Sequence, residues 1–228
     1  AGVASESPSY EFRMKMIMGD LTEAACVAIL RAAGVDIDDQ QETVYLNIAN
    51  QEIRGSYDVK IDGQIWDIKS ASPYQFGSKF QEPHGYDNIK QDDPFGYLGQ
   101  LHGYAEAANA GVGGWIVVNK SSGEWSVVSA SDRQEDHDEA IDQLRQNVEA
   151  IVEDKPTVPC NGEEPEYFQK QPTGNYILNS ACSFCPYKWS CWPNLQHRPQ
   201  VVSKGKSPRW FYYTFIDPKY LEEETKDG

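Results

Sequence analysis

The sequence predicts an α/β (α+β) fold: a core of strands and helices followed by a smaller cysteine-rich lobe. Two patterns predict the core and a third predicts the lobe. Helical and strand periodicities follow one another along residues 19–153, in the order helix, three strands, helix, two strands, helix. Asp62-Gly63 separates two runs of alternating character, which is a strong hairpin signal. Near the end of the chain Cys182, Cys185 and Cys191 fall within ten residues.

Residues 19–33 read as an amphipathic helix. Leu21, Ala25, Val27, Ala28 and Leu30 follow helical spacing, and Gly34 is a stop signal. Residues 43–50, 52–61 and 64–71 read as three strands, the last two joined at Asp62-Gly63. Val59, Ile61, Ile65 and Ile68 supply an apolar face to that pair, leaving the other face to solvent or a polar cleft. Residues 72–92, rich in Gly, Pro and Asp, read as a loop. Asp93-Pro94 reads as an N-cap and first helical position, opening a helix to about Asn109 that Gly111, Gly113 and Gly114 end. Residues 115–119 and 124–129 read as short strands around a Ser121-Ser122-Gly123 turn, and residues 136–153 as a charged amphipathic helix. From Lys155 onward the chain reads as irregular. The expected divisions are a core over 13–154, a Cys-rich lobe over 155–213 and an acidic tail over 214–228.

The chain has 228 residues and is 39% hydrophobic, enough for a core. No run approaches the ~18 consecutive apolar residues of a membrane span. The opening residues show neither a basic nor an apolar region of a signal peptide. A soluble, cytoplasmic protein without a membrane partner is therefore expected. The net charge of −15 argues against coating nucleic acid by bulk charge. A local basic track exists nonetheless. Between Pro186 and Tyr220, six cations (Lys188, Arg198, Lys204, Lys206, Arg209 and Lys219) face the single acid Asp217, a local charge of +5.

The chemistry-bearing pattern is Gly55-Ser56-Tyr57-Asp58, eight residues, then Asp67-Ile68-Lys69. Metal-assisted phosphodiester hydrolysis needs hard oxygen ligands and benefits from a nearby cation. A turn at Asp62-Gly63 sets Asp58 nearly opposite Asp67, and opposed side chains of an antiparallel pair share a face. Lys69, two residues on, points to that face too. A lone D-x-K tripeptide is common, and taken alone it reads as ordinary solvated charge. Gly19-Asp20-Leu21-Thr22-Glu23 adds a helical glutamate, and Gln100 and Tyr104 lie four apart on one helix face.

These four elements, in this order, resemble the RecB-like and lambda-exonuclease-like branch of PD-(D/E)xK nucleases. There G-x-x-x-E, G-x-x-D, (D/E)-x-K and Q-x-x-x-Y follow one another. The resemblance implies a restriction-endonuclease-like core, with a central mixed sheet flanked by helices. It further implies that Asp58, Asp67 and the Ile68 carbonyl hold Mg²⁺ or Mn²⁺, with Glu23 completing the shell directly or through water. Lys69 would orient the attacking water and steady developing charge. Gln100 and Tyr104 would contact the DNA backbone or brace the catalytic residues. The bland alternatives are a helix N-terminal acid for Glu23 and a partly buried helix face for Gln100 and Tyr104.

Clustered cysteines in a cytosolic chain point to a metal rather than disulfides. The Cys182-x2-Cys185-x5-Cys191 run resembles that of Cas4, AddB and Dna2 type iron–sulfur nucleases. A fourth ligand could be Cys160 or Cys26. Cys26 sits in the apolar run 24–28, where a small buried thiol is expected. Cys160, in a Pro-rich loop, is preferred. Four thiolates suit either an iron–sulfur cluster or tetrahedral Zn²⁺, and the resemblance favours [4Fe–4S].

Trp189, Trp192, Trp210, Phe211, Tyr212 and Tyr213 interleave with the basic segment. Such a mixture suits single-stranded DNA or a frayed end, or else the packing of the lobe itself. The resulting expectation is a Mg/Mn-dependent deoxyribonuclease, an exonuclease of phage or mobile-element type acting on DNA ends in recombination or degradation, in the host cytoplasm. The alternatives are a non-catalytic DNA-end-binding scaffold that keeps the fold, and an endonuclease.

Overall fold

The computed structural model describes residues 10–81, 83–93, 95–131, 133–153, 162–185 and 187–224. The chain gathers into two compact units, Ser7–Lys155 and the residues from Pro156 onward.

The first unit is a mixed sheet flanked by helices. In chain order it runs α1 (Tyr10–Ala32), β1 (Asp39–Gln40), β2 (Thr43–Ile48), β3 (Gln51–Ser56), β4 (Val59–Ile61) and β5 (Gln64–Ala71). It continues with α2 (Pro73–Lys79), α3 (Gly85–Gln91), α4 (Tyr97–Ala107), β6 (Gly111–Asn119), β7 (Trp125–Ser129) and α5 (Gln134–Val152). The five-stranded sheet has the order β1-β4-β5-β6-β7. β5 and β6 are parallel, and the other neighbours are antiparallel. A parallel pair needs a long crossover, and here α2, α3 and α4 supply it.

Each sheet face has its own apolar cluster. Cys26 and Val27 of α1 pack with Val59, Ile68 and Ile116 on one face. Phe76, Ile89, Leu101 and Ala105 of the crossover helices pack with Ile65, Trp115, Val117 and Val128 on the other. Alternation along β5 therefore sends Ile65, Asp67 and Lys69 toward α4, and Ile68 toward α1. This corrects the expected single apolar face of the hairpin. Ile65 belongs with the crossover helices, not with Val59, Ile61 and Ile68.

The Asp62-Gly63 turn forms as expected. Both residues have positive φ, 50° and 73°, as a type I′ hairpin turn requires. Gly34, at φ 85°, follows the end of α1. Other expectations are corrected. α1 begins at Tyr10, and much of its early part, including Phe12, Met16 and Leu21, is exposed, so it carries no amphipathic signal there. The strand expected over 52–61 is two strands in different sheets. β3 pairs only with β2, whereas β4 joins the main sheet. The chain breaks between them at Tyr57-Asp58, where the buried Tyr57 donates its hydroxyl to Glu42 at 2.7 Å.

Residues 72–92 are not a loop but carry α2 and α3. The Ser72 hydroxyl caps α2 by accepting the Gln75 amide at 3.3 Å, with Pro73 in its first turn. α4 begins at Tyr97, and the expected first helical position, Pro94, lies outside the described residues. The Asp93 carboxylate still accepts the Tyr97 and Leu98 amides, at 2.8 and 2.9 Å. The glycines from Gly111 onward start a strand and do not merely end a helix.

The second unit is not irregular. It comprises β8 (Glu163–Phe168), β9 (Gln171–Leu178), α6 (Ser180–Phe184), α7 (Lys188–Cys191), β10 (Gln196–Pro199), β11 (Trp210–Phe215) and α8 (Pro218–Glu224). The strands make an antiparallel sheet in the order β10-β11-β9-β8. β8 and β9 are joined by Gln169-Lys170, both at positive φ, a turn without the glycine or asparagine that announces one. The acidic tail expected from residue 214 instead begins inside β11, contributes the buried Ile216 and continues into α8. At the centre of this unit the buried Glu166 carboxylate accepts bonds from Thr173, Asn175, Gln200 and Tyr213. Among the described residues no helix is long and apolar enough to cross a membrane.

Candidate active site

The β4–β5 hairpin sets the frame of the site. Its register pairs Val59 with Trp66, so the next position outward brings Asp58 beside Asp67. Asp58 precedes β4 rather than lying within it, and its Oδ2 accepts the Ile68 amide at 2.6 Å. That bond holds the Asp58 carboxylate against β5. Burial raises the Asp58 pKa above the usual carboxylate value, opposed by the Ile68 amide and by Lys69.

Asp67 is only 3% exposed. Its Oδ1 accepts from the Lys69 ammonium at 2.8 Å, while its Oδ2 is buried with no hydrogen-bond partner. Burial pushes its pKa up to about 7; Lys69 works against the rise, and the nearby Asp58 charge adds to it. A buried acid with a free oxygen, beside a second acid, is an arrangement that a cation relieves.

Lys69 links β5 to α4. Its Nζ donates to Gln100 Oε1 at 3.1 Å, and Gln100 Nε2 in turn donates to the Tyr104 hydroxyl at 3.1 Å. Burial works against the Lys69 charge, but the Asp67 carboxylate outweighs it and its pKa is raised. The ammonium also lies 5.4 Å from the centre of the Tyr97 ring. Tyr97, Gln100 and Tyr104 form one stripe along α4.

Gly55 has a steric reason to be glycine. A Cβ there would lie 2.5 Å from Tyr104 Cε1, closer than side chains pack. The first glycine of the pattern differs, since a Cβ at Gly19 would meet nothing within 4 Å. Glu23, on α1, accepts from Gln41 Nε2 at 2.8 Å. Burial and then the Asp58 charge raise its pKa. Gln41 also donates its amide to the Asp58 carbonyl at 2.9 Å.

Glu23, Asp58, Asp67, Lys69, Gln100 and Tyr104 thus fall in one region. Ile68 contributes its amide, which holds Asp58. Among the described residues no three His, Cys, Asp or Glu side chains are gathered closely enough to enclose a metal. Mg²⁺ does not need such a cage, because it is commonly held by one or two carboxylates and keeps several waters. The Asp58–Asp67 pair and the partnerless Asp67 oxygen fit that mode.

Sequence reasoning missed two members. Tyr97 had a signal, since it lies three residues before Gln100 on the same helical stripe. Gln41, at φ 50° between two short strands, had none. Beside the site, a groove of about 580 Å³ runs between the β2–β3 hairpin, α4 and α5. Gly55, Gln100 and Tyr104 line it, together with Arg54 and Leu144, whereas Asp58, Asp67 and Lys69 do not.

In the second unit Cys182 is buried within α6, and Cys185 and Cys191 are half-buried. The Asn179 side chain caps α6 by accepting the Cys182 amide at 2.9 Å. These thiols form no disulfide among the described residues, and Cys160 lies outside those residues. Cys26 is a core thiol of the first unit, 2% exposed, and burial pushes its pKa up to about 11.

No family model matches the chain, and no curated protein matches it. A solved structure described as the crystal structure of SSO0001 aligns over 78% of this chain and 70% of its own, at 13% identity and a TM-score of 0.40.

Proposed function

We propose that the chain is a divalent-metal-dependent DNA nuclease of the PD-(D/E)xK type, working as an exonuclease. One observation carries this reading: Asp58, Asp67 and Lys69 converge on one hairpin, with Asp67 buried and one of its oxygens without a partner. Structural ion pairs are normally satisfied, and a buried acid left half-bonded costs stability. Functional sites are where such an arrangement is tolerated.

Asp58 and Asp67 would hold Mg²⁺ or Mn²⁺, with the Ile68 carbonyl as a further ligand and Glu23 completing the shell through water. When bound, the ion supplies Lewis-acid stabilisation of the phosphate and lowers the pKa of a bound water. Lys69, held between Asp67 and Gln100, orients the water and stabilises charge on the phosphate oxygens. Gln100 and Tyr104 fix the Lys69 head and line the adjoining groove. Gln41 and the Ile68 amide keep Glu23 and Asp58 in place.

A non-catalytic DNA-end scaffold needs none of this acid burial, so it stands behind the nuclease reading. Purified protein should degrade linear DNA with Mg²⁺ or Mn²⁺ and not with EDTA, and should leave covalently closed circular DNA intact. Cutting of the circle would make the enzyme an endonuclease.

The four-cysteine site is proposed as Cys160, Cys182, Cys185 and Cys191 holding a [4Fe–4S] cluster, with Zn²⁺ as the alternative. Three soft sulfur donors within ten residues suit either ion. The burial and raised pKa of Cys26 support its reading as a packing thiol instead. An anaerobic preparation with a broad absorbance near ~400 nm supports the cluster. A colourless preparation with one zinc per chain supports the alternative.

A further inference from the structure

We propose that the β10–β11 edge of the second unit is a stacking surface for single-stranded DNA. The sequence left two uses open for its aromatics, and the structure divides them by exposure: Tyr212 and Trp192 pack on Leu178, Cys182 and Leu195, whereas Trp210 and Trp189 are exposed. Tyr213 is buried, and Phe211 packs beside it against Ile177 and Ile216. Trp210 and Tyr212, alternate residues of β11, lie on the other face.

That face carries a ladder of rings. Cross-strand pairing sets His197 opposite Tyr212, and their rings stack at 4.2 Å with 17° between planes. Trp210 lies 5.1 Å from His197 on one side, and Trp189 lies edge-on, 5.8 Å from Tyr212, on the other. The Lys188 ammonium lies 4.8 Å from the Tyr212 ring centre. Trp210 is 59% exposed and Trp189 49%, so neither ring is spent on filling the unit.

Charge selects the occupant. Lys204, Lys206 and Arg209 are exposed on the connection between β10 and β11. Asp217 is the only acid between Tyr187 and Tyr220, and Lys219 pairs with it at 2.8 Å. The acids Glu163 and Glu164 are on β8, two strands from β11, and Glu163 reaches across to accept from the Thr214 hydroxyl of β11. In a chain of net charge −15, exposed rings flanked by cations on one edge suit a polyanion that offers planar groups. Unpaired bases have free faces for Trp210 and Trp189, whereas duplex bases are already stacked on each other. The choice of DNA over RNA rests on the nuclease reading, but the surface does not depend on catalysis.

The test uses the full chain in EDTA, where no cleavage occurs, so loss of nuclease activity and loss of this binding are read separately. A fluorescein-labelled oligothymidylate of about fifteen residues is titrated by anisotropy, with tryptophan fluorescence recorded alongside. The expected result is saturable binding that quenches tryptophan emission and weakens as salt rises. Trp210→Ala should weaken it by about fivefold or more, and Trp210→Phe should restore most of the affinity. Far-UV circular dichroism confirms that the variants fold, which the exposure of Trp210 predicts. Unchanged affinity in a folded Trp189→Ala/Trp210→Ala protein would overturn the proposal. So would a blunt duplex, or an oligouridylate, binding as tightly as the oligothymidylate.

Discussion

Asp67 holds one oxygen on Lys69 and buries the other without a partner, so its contribution should be chemical rather than structural. Asp67→Ala should lower metal-dependent cleavage by at least about 100-fold, because a metal centre supplies several kcal/mol of transition-state stabilisation. The thermal midpoint should not fall with it, which a melting curve on the same preparation checks. Gly55 acts through contact. Gly55→Ala places a Cβ against the Tyr104 ring and should cost about 1–3 kcal/mol by overpacking, read by urea denaturation. His102 provides a pH dependence away from the acids. It is fully buried, with its Nδ1 3.0 Å from His137 Nδ1. Burial, then the His137 charge, lower its pKa to about 4, against a weaker opposite pull from Asp136. Between pH 4 and about 6.5 the unfolded chain then binds more protons than the folded one. The His102 contribution to stability should therefore fall as pH drops through that window, by up to about 3 kcal/mol, while the raised pKa of Asp67 works in the opposite direction. Urea midpoints of wild type and His102→Gln at pH 7 and pH 4.5 isolate it: the variant should gain stability relative to wild type at the lower pH.

Among the elements, the β4–β5 hairpin and α4 position the site, and both were legible in the sequence. Asp62-Gly63 carries its turn chemistry openly, and the spacing from that turn sets Asp58 beside Asp67. Gln100 and Tyr104 reveal themselves by helical spacing. The break at Tyr57-Asp58 was not legible, because the β-like pattern continues through it. Only tertiary pairing sends β3 to β2 and β4 to β5. Residues 72–92 hid α2 and α3 behind Gly, Pro and Asp, although Ser72-Pro73 is itself a helix-start signal. The Gln169-Lys170 turn gave no sign, since neither residue favours positive φ. α4 also yields a prediction. Asp93 accepts two of its first amides, so Asp93→Ala should cost about 1 kcal/mol of stability. Part of the cleavage rate should be lost too, because Gln100 rides on that helix.

Across the whole molecule, the two units place different demands on the sequence. The first carries the hairpin acids and two apolar clusters. The second is organised around one buried carboxylate. Glu166 accepts from four side chains, so Glu166→Ala strands donors in a closed interior and should cost about 3 kcal/mol or more. Loss of the native melting transition in that variant would fit, whereas a wild-type midpoint would not. For the cysteine site, Cys182→Ser should remove the ~400 nm absorbance of a cluster-bearing preparation and leave the hairpin acids untouched. The nuclease reading itself meets its most direct test in a cleavage assay on end-labelled linear DNA. Wild-type protein and Asp67→Ala are compared with Mg²⁺, with Mn²⁺ and with EDTA. A metal-dependent nuclease releases label only in the wild type and only with metal. Absence of release under every condition, or equal release by Asp67→Ala, would contradict it.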